Sequence, residues 1–96
     1  NYVMKKSRFP NRLDNADVLF YTDRGRYGTI DTPTGETGEA VAYLAVCAYP
    51  GDGGVYLFFC DERYAVITDS LYPSLEACLA SRQGQEIVWH RKERRL

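Results

Sequence analysis

Histidine, tryptophan and methionine occur once each in this chain of 96 residues, and cysteine only three times. A lone histidine, His90, excludes any metal centre built on several imidazoles. The odd set Cys47, Cys60 and Cys78, with no C-x-x-C spacing, argues against a disulfide framework and for a reducing, cytoplasmic compartment. Cys47 and Cys60 lie within apolar runs and Cys78 on the apolar stripe of a helix, so all three read as core thiols. Long hydrophobic runs are missing too. The longest, Ala40 to Tyr49, falls far short of the roughly 20 residues that a membrane helix needs. No stretch has the basic start, apolar run and small-residue cleavage site of a signal peptide. Repeats and low-complexity linkers are also lacking, so residues 1–96 read as one domain.

The remainder is ordinary for a globular protein: 45% apolar and 26% charged residues. The net charge of −1 hides a segregation. Lys5, Lys6, Arg8 and Arg12 make residues 1–12 a basic, partly ordered terminus without an acid. Arg91, Lys92, Arg94 and Arg95 against Glu93 make the other end basic, and residues 13–90 between them are strongly acidic. An acidic body repels phosphate and suits a basic protein partner. Basic ends would form a nucleic-acid footprint only if they met in space.

Periodicity gives an α+β chain, with a single-layer antiparallel sheet of about five strands and one helix packed on one face. Residues 17–23 are β-prone, Arg24-Gly25-Arg26 is a turn, and Tyr27 to Asp31 reads as the return strand. Thr32 to Gly38 is dense in turn formers. Glu39 to Tyr49 reads as one strand, joined through Pro50 to Gly54 to the wholly apolar strand Val55 to Cys60. Asp61-Glu62-Arg63 makes the next turn, and Tyr64 to Thr68 returns. Ser74 is an N-cap with Glu76 in the first turn, Leu75, Cys78 and Leu79 share one stripe, and Gly84 is the expected C-cap. Glu86 to Arg91 alternates as a last strand. The expected core is Leu57, Phe58, Ile67, Leu75, Leu79 and Trp89.

The run GVYLFFCDERYAVITDSLYPSLEACLASRQ, residues 54–83, resembles a group of small bacterial proteins with a G-V-Y-L-F-x-C-D hairpin followed by T-D and a Ser-capped helix. Gly54, Val55, Tyr56, Leu57, Phe58, Cys60, Asp61, Thr68, Asp69, Ser74 and Leu75 stand at the matching positions. Trp89 stands, at looser spacing, where that group often carries an aromatic after the helix. Several of these proteins look like immunity proteins, the antidotes of secreted antibacterial toxins. The resemblance implies a hairpin and a capped helix, and a protein that acts by contact. It leaves residues 1–50 unplaced.

Chemistry is sparse. Asp61, Glu62 and Asp69 are the best acid group for proton transfer or a divalent cation, but turn stabilisation is the simpler role for Asp61. A thiol nucleophile would need Cys60 or Cys78 beside His90. The glycines of 51–54 precede a strand and lack a following Lys-Ser or Lys-Thr, so they are no phosphate cradle and no cofactor is expected. Eight tyrosines are the unusual feature. Tyr27, Tyr49, Tyr64 and Tyr72 lie near turns and are expected to form an exposed patch with Arg24, Arg26, Asp61 and Glu62. Tyrosine offers large contact area with a polar tip, so the expected partner-binding residues are Tyr27, Tyr64, Tyr72, Asp61 and Glu62. The reading is a non-enzymatic protein-binding module, specifically an immunity protein for a basic toxin, with a homodimer also open. A nucleic-acid-binding domain using the basic ends is the alternative, and a small enzyme using Cys60, His90 or the acids is the third.

Overall fold

Asp14 and Asn15 sit between Leu13 and Ala16 with φ of 47° and 69°. Two consecutive left-handed residues form the tight turn whose twist matches paired strands, and Asp and Asn tolerate that region best after glycine. They join β1 (Arg12–Leu13) to β2 (Ala16–Thr22) in the computed structural model, which describes residues 8–31 and 38–93. The second part of the expected basic terminus is ordered. Residues 1–7 lie outside the described ones, but Phe9 is buried and β1 is paired.

Beyond Thr22 the chain runs out and back before returning as β5 (Tyr43–Ala48). The segment after Asp23 does not fold back on β2 as expected. Tyr27 N–H donates to Val41 O at 3.0 Å, Val41 N–H to Gly28 O at 2.9 Å and Gly25 N–H to Ala42 O at 2.9 Å. The ladder ends in a separate small hairpin of β3 (Thr29–Ile30) and β4 (Glu39–Ala40). The expected single strand 39–49 is therefore two. Val41 and Ala42, both buried, bend the chain between them. The expected loop at 32–38 falls almost wholly outside the described residues.

From β5 the chain turns through Tyr49–Gly54, where Gly51 has φ of +79° and Asp52 N–H donates to Tyr49 O at 3.1 Å. A side chain at Gly51 would be strained by that backbone. β6 (Val55–Cys60) and β7 (Val66–Tyr72) complete a meander. β8 (Trp89–Arg91) returns to the far side of β2. The resulting antiparallel sheet has the order β1-β2-β5-β6-β7, with β1 and β8 sharing the outer side of β2, and it is curled rather than flat.

Both faces are covered because the central strands are apolar on both sides, as a doubly buried strand must be. On one face Phe9, Leu13, Ala16, Val18, Ala45, Cys47, Phe58 and Cys60 form a core fringed by Tyr21, Tyr43, Tyr49, Tyr56 and Tyr64. On the other, Val41, Leu44, Val46, Leu57, Phe59 and Cys78 form a second core. β2 changes phase at a bulge between Val18 and Phe20. The extra residue sends Phe20 to the second face and Tyr21 to the first. Among the described residues the first face has no helix, and the Phe9–Leu13 segment covers it instead.

The helix α1 (Leu75–Ala80) lies on the second face. Ser74 caps it as expected, its Oγ accepting from Ala77 N–H at 3.1 Å. Ser81, not Gly84, closes the helix, because the Ser81 hydroxyl donates to Cys78 O at 2.6 Å. The next amides, of Arg82 and Gln83, bond only three residues back. Cys78 alone of the helix is fully buried. Of the expected core, Leu57 and Phe58 are buried, whereas Ile67, Leu75, Leu79 and Trp89 pack against the second core with part of their surface in solvent. A helix of 6 residues is too short to cover the sheet, so its stripe lies at the border of the core.

Candidate functional site

The turn between β6 and β7 is built by Asp61, whose Oδ1 accepts from Arg63 N–H at 2.8 Å and Ala65 N–H at 2.9 Å. This is the turn-stabilising role expected for an aspartate there. The turn holds Tyr64 at φ of 67°, a left-handed conformation unusual for an aromatic residue. Ring packing holds it there. Tyr64 meets Tyr43 at 4.7 Å between centroids and the edge of Phe9 at 5.1 Å, and Phe9 stacks on Tyr21 at 4.8 Å. A hydrogen bond that Tyr43 donates to Tyr64, then burial, raises the Tyr43 hydroxyl above its ordinary range. Glu62 is exposed and pairs with Arg24 at 2.7 Å.

The expected patch is divided. Arg24, Arg26, Asp61 and Glu62 do meet, around an open cleft of about 790 Å³ walled by residues 24–26, 28–29, 39–42 and 61–63. Tyr64 lies beside it on the first face. It borders a smaller hollow of about 280 Å³ with Tyr21, Tyr43, Arg8 and Arg24. Tyr27 belongs to the second face, its hydroxyl donating to Asp23 O at 2.9 Å. Tyr72 is also on the second face, paired with Val55 at the other end of β7. The bulge at the start of β7 shifts Tyr72 to the second face, and residues on opposite faces cannot form one surface.

The groups considered for catalysis are placed elsewhere. His90 Nε2 lies 3.0 Å from Asp23 Oδ1, with its ring 5.3 Å from that of Tyr21. All three cysteines are free and buried. Burial pushes the Cys60 thiol up to about 12 and the Cys78 thiol to about 11, and drives Cys47 higher still. A nucleophilic thiol needs the opposite shift. Among the described residues no three His, Cys, Asp or Glu side chains gather as a metal site.

A second aromatic group stands at the other end of β6, and it takes Tyr49 out of the expected patch. Tyr49 and Tyr56 meet edge to face at 5.3 Å. Tyr49 donates to Asp14 O at 2.9 Å, and Tyr56 donates to Asp52 Oδ2 at 3.3 Å. Both hydroxyls are raised, first by loss of solvent and then by nearby carboxylates. Asp14, Asp69 and Asp52 act on Tyr49, and Asp52 and Asp69 on Tyr56. Leu71, opposite Tyr56 on β7, is 59% exposed. Residues 14–15, 49–56 and 69–71 are brought together only by the fold. Comparison with family models, curated proteins and solved structures finds no match for the chain. Among the described residues no helix is long and apolar enough to cross a membrane.

Proposed function

We propose that this chain is a small protein-binding module that holds a basic partner by direct contact, in the manner of an immunity protein neutralising a basic toxin. The observation that carries the reading is the corner of Tyr49 and Tyr56 ringed by Asp14, Asp52 and Asp69. A partner lysine or arginine placed on a tyrosine face there gains ring and carboxylate attraction together. Glu39, Glu76 and Glu86 are exposed and make no ion pair among the described residues, which extends the negative field over the body. Tyr64, Asp61 and Glu62 at the opposite end of β6 are the second contact region of the proposal, and Tyr27 and Tyr72 lie outside both.

Co-expression with the product of the adjacent gene tests the reading directly. A stable complex is expected with a basic partner, and Tyr49→Ala should weaken it by roughly thirtyfold, as anchor truncations costing about 2 kcal/mol do. Asp14→Asn, Asp52→Asn and Asp69→Asn together should slow association and flatten its salt dependence. An interaction indifferent to these changes would refute the assignment of the surface.

One observation favours a second reading, nucleic-acid binding by the basic ends. The described parts of the two ends meet, since the Lys92 ammonium donates to Phe9 O and β1 and β8 both flank β2. Binding to DNA or RNA at micromolar level or tighter, falling steeply with salt and lost on removing residues 91–96, would favour that reading instead.

A further inference from the structure

The sheet guards its two edges differently. On the β2 side the edge is divided between β1, 2 residues long, and β8, 3 residues long, and neither is long enough to template another strand. The opposite edge is β7, 7 residues long and paired only with β6. Among the described residues, no backbone group of 66–72 bonds to anything beyond β6. Such an edge is a row of unsatisfied donors and acceptors ready to pair with another chain. Folds commonly blunt it with lysine, proline or a bulge. Here the one bulge lies at the start of β7, opposite Phe59 and Cys60. Thr68–Tyr72 pairs regularly with Val55–Phe59 and carries neither lysine nor proline, and Pro73 marks its end.

We propose that the outer edge of β7, over Thr68–Tyr72, receives an extended segment of a basic partner protein as an added strand. The inference rests on the protein-contact reading and adds how the partner is held. Backbone pairing would supply affinity, and the side chains at Asp69 and Leu71 would select the occupant. Asp69 is exposed, and its carboxylate acts on Tyr49 and Tyr56 together with Asp52. A lysine or arginine opposite Asp69 completes a cross-strand charge pair, and an apolar residue two positions along covers Leu71. A second copy of this chain fits less well. Antiparallel pairing about Asp69 sets two carboxylates face to face, and pairing about Ser70 sets each Asp69 against the other copy's Leu71.

The test uses the full chain, isotope-labelled for amide NMR, and three synthetic nine-residue peptides of alternating threonine and valine. One has lysine at its centre, one has glutamate there, and one is the lysine peptide N-methylated at alternate amides. The lysine peptide should move the amides of residues 66–72 and slow their hydrogen exchange. The glutamate peptide should bind roughly fivefold more weakly, and the N-methylated one not at all. Asp69→Lys should reverse the preference between the two charged peptides. Unmoved 66–72 amides at millimolar lysine peptide, or an equal response to the N-methylated peptide, would overturn the proposal. So would concentration-dependent shifts of the same amides without peptide, together with a dimer mass in sedimentation, which would assign the edge to a second copy. If the peptide leaves β7 unmoved while Tyr49→Ala still weakens the co-expressed complex, the strand mode fails and the protein-contact reading stands. Peptide binding at β7 without any complex from co-expression reverses that outcome.

Discussion

The three thiols are the residues whose chemistry is most altered by folding. In the unfolded chain they ionise near 9.0, whereas burial holds Cys78 protonated to about 11 and Cys60 to about 12. A raised folded value means that stability is fully present below pH 9 and is lost as pH rises toward the folded values. The slope approaches about 1.4 kcal/mol per pH unit for each thiol. Lys92 runs the other way, because burial lowers its ammonium and favours folding as pH rises toward its unfolded value. One lysine opposes three thiols, so urea midpoints should fall steadily from pH 9 to 11, and Cys60→Ala should make that fall shallower. A stability profile flat across this range would show that the thiols reach water. The same burial predicts that a disulfide exchange reagent leaves all three thiols untouched at pH 8 until denaturant is added. The two hydrogen bonds to Asp61 set a further value: Asp61→Ala should destabilise by about 1–2 kcal/mol in chemical denaturation.

At the scale of elements, what could be read from the chain was local. Ser74 was legible as an N-cap because a short hydroxyl side chain reaches its own helix's amides, and Ser74→Ala should cost about 1 kcal/mol. The strand at 55–60 and the aspartate turn after it were legible for the same reason, since hairpin chemistry acts within a few residues, whereas the return strand expected over 64–68 runs over Val66–Tyr72. The helix's depth was not. Leu79 falls on the right stripe, yet the short α1 leaves it partly exposed, so Leu79→Ala should cost about 1–2 kcal/mol, below the 2–5 typical of a fully buried leucine. A loss above 3 kcal/mol in urea denaturation would show a deeper dock. The pairing of residues 24–30 also escaped, because propensity identifies a strand and not its neighbour. The Asp14-Asn15 turn was legible in principle, being a left-handed pair between two apolar residues, but the basic charge of residues 1–12 drew the segment into a terminus.

For the whole molecule the first face decides most. Its cover is Phe9, which stacks on Tyr21 and touches Tyr43 and Tyr64. Phe9→Ala should therefore destabilise by about 3 kcal/mol or more, and a change under 1 kcal/mol would mean that the segment merely rests on the sheet. Composition, patterning and turn chemistry were enough to establish an antiparallel α+β chain with buried thiols, an acidic body and basic ends, because each depends on residue type and near neighbours. Three outcomes depended on contacts between residues far apart in the chain. Tyr27 and Tyr72 lie on the opposite face from Tyr64, Tyr49 and Tyr56 gather Asp14, Asp52 and Asp69, and β7 keeps an open edge. Strand order and the bulges in β2 and at the start of β7 set these relations. A shift of one residue moves side chains to the other face of a sheet, and local preference does not encode the strand against which that shift is counted.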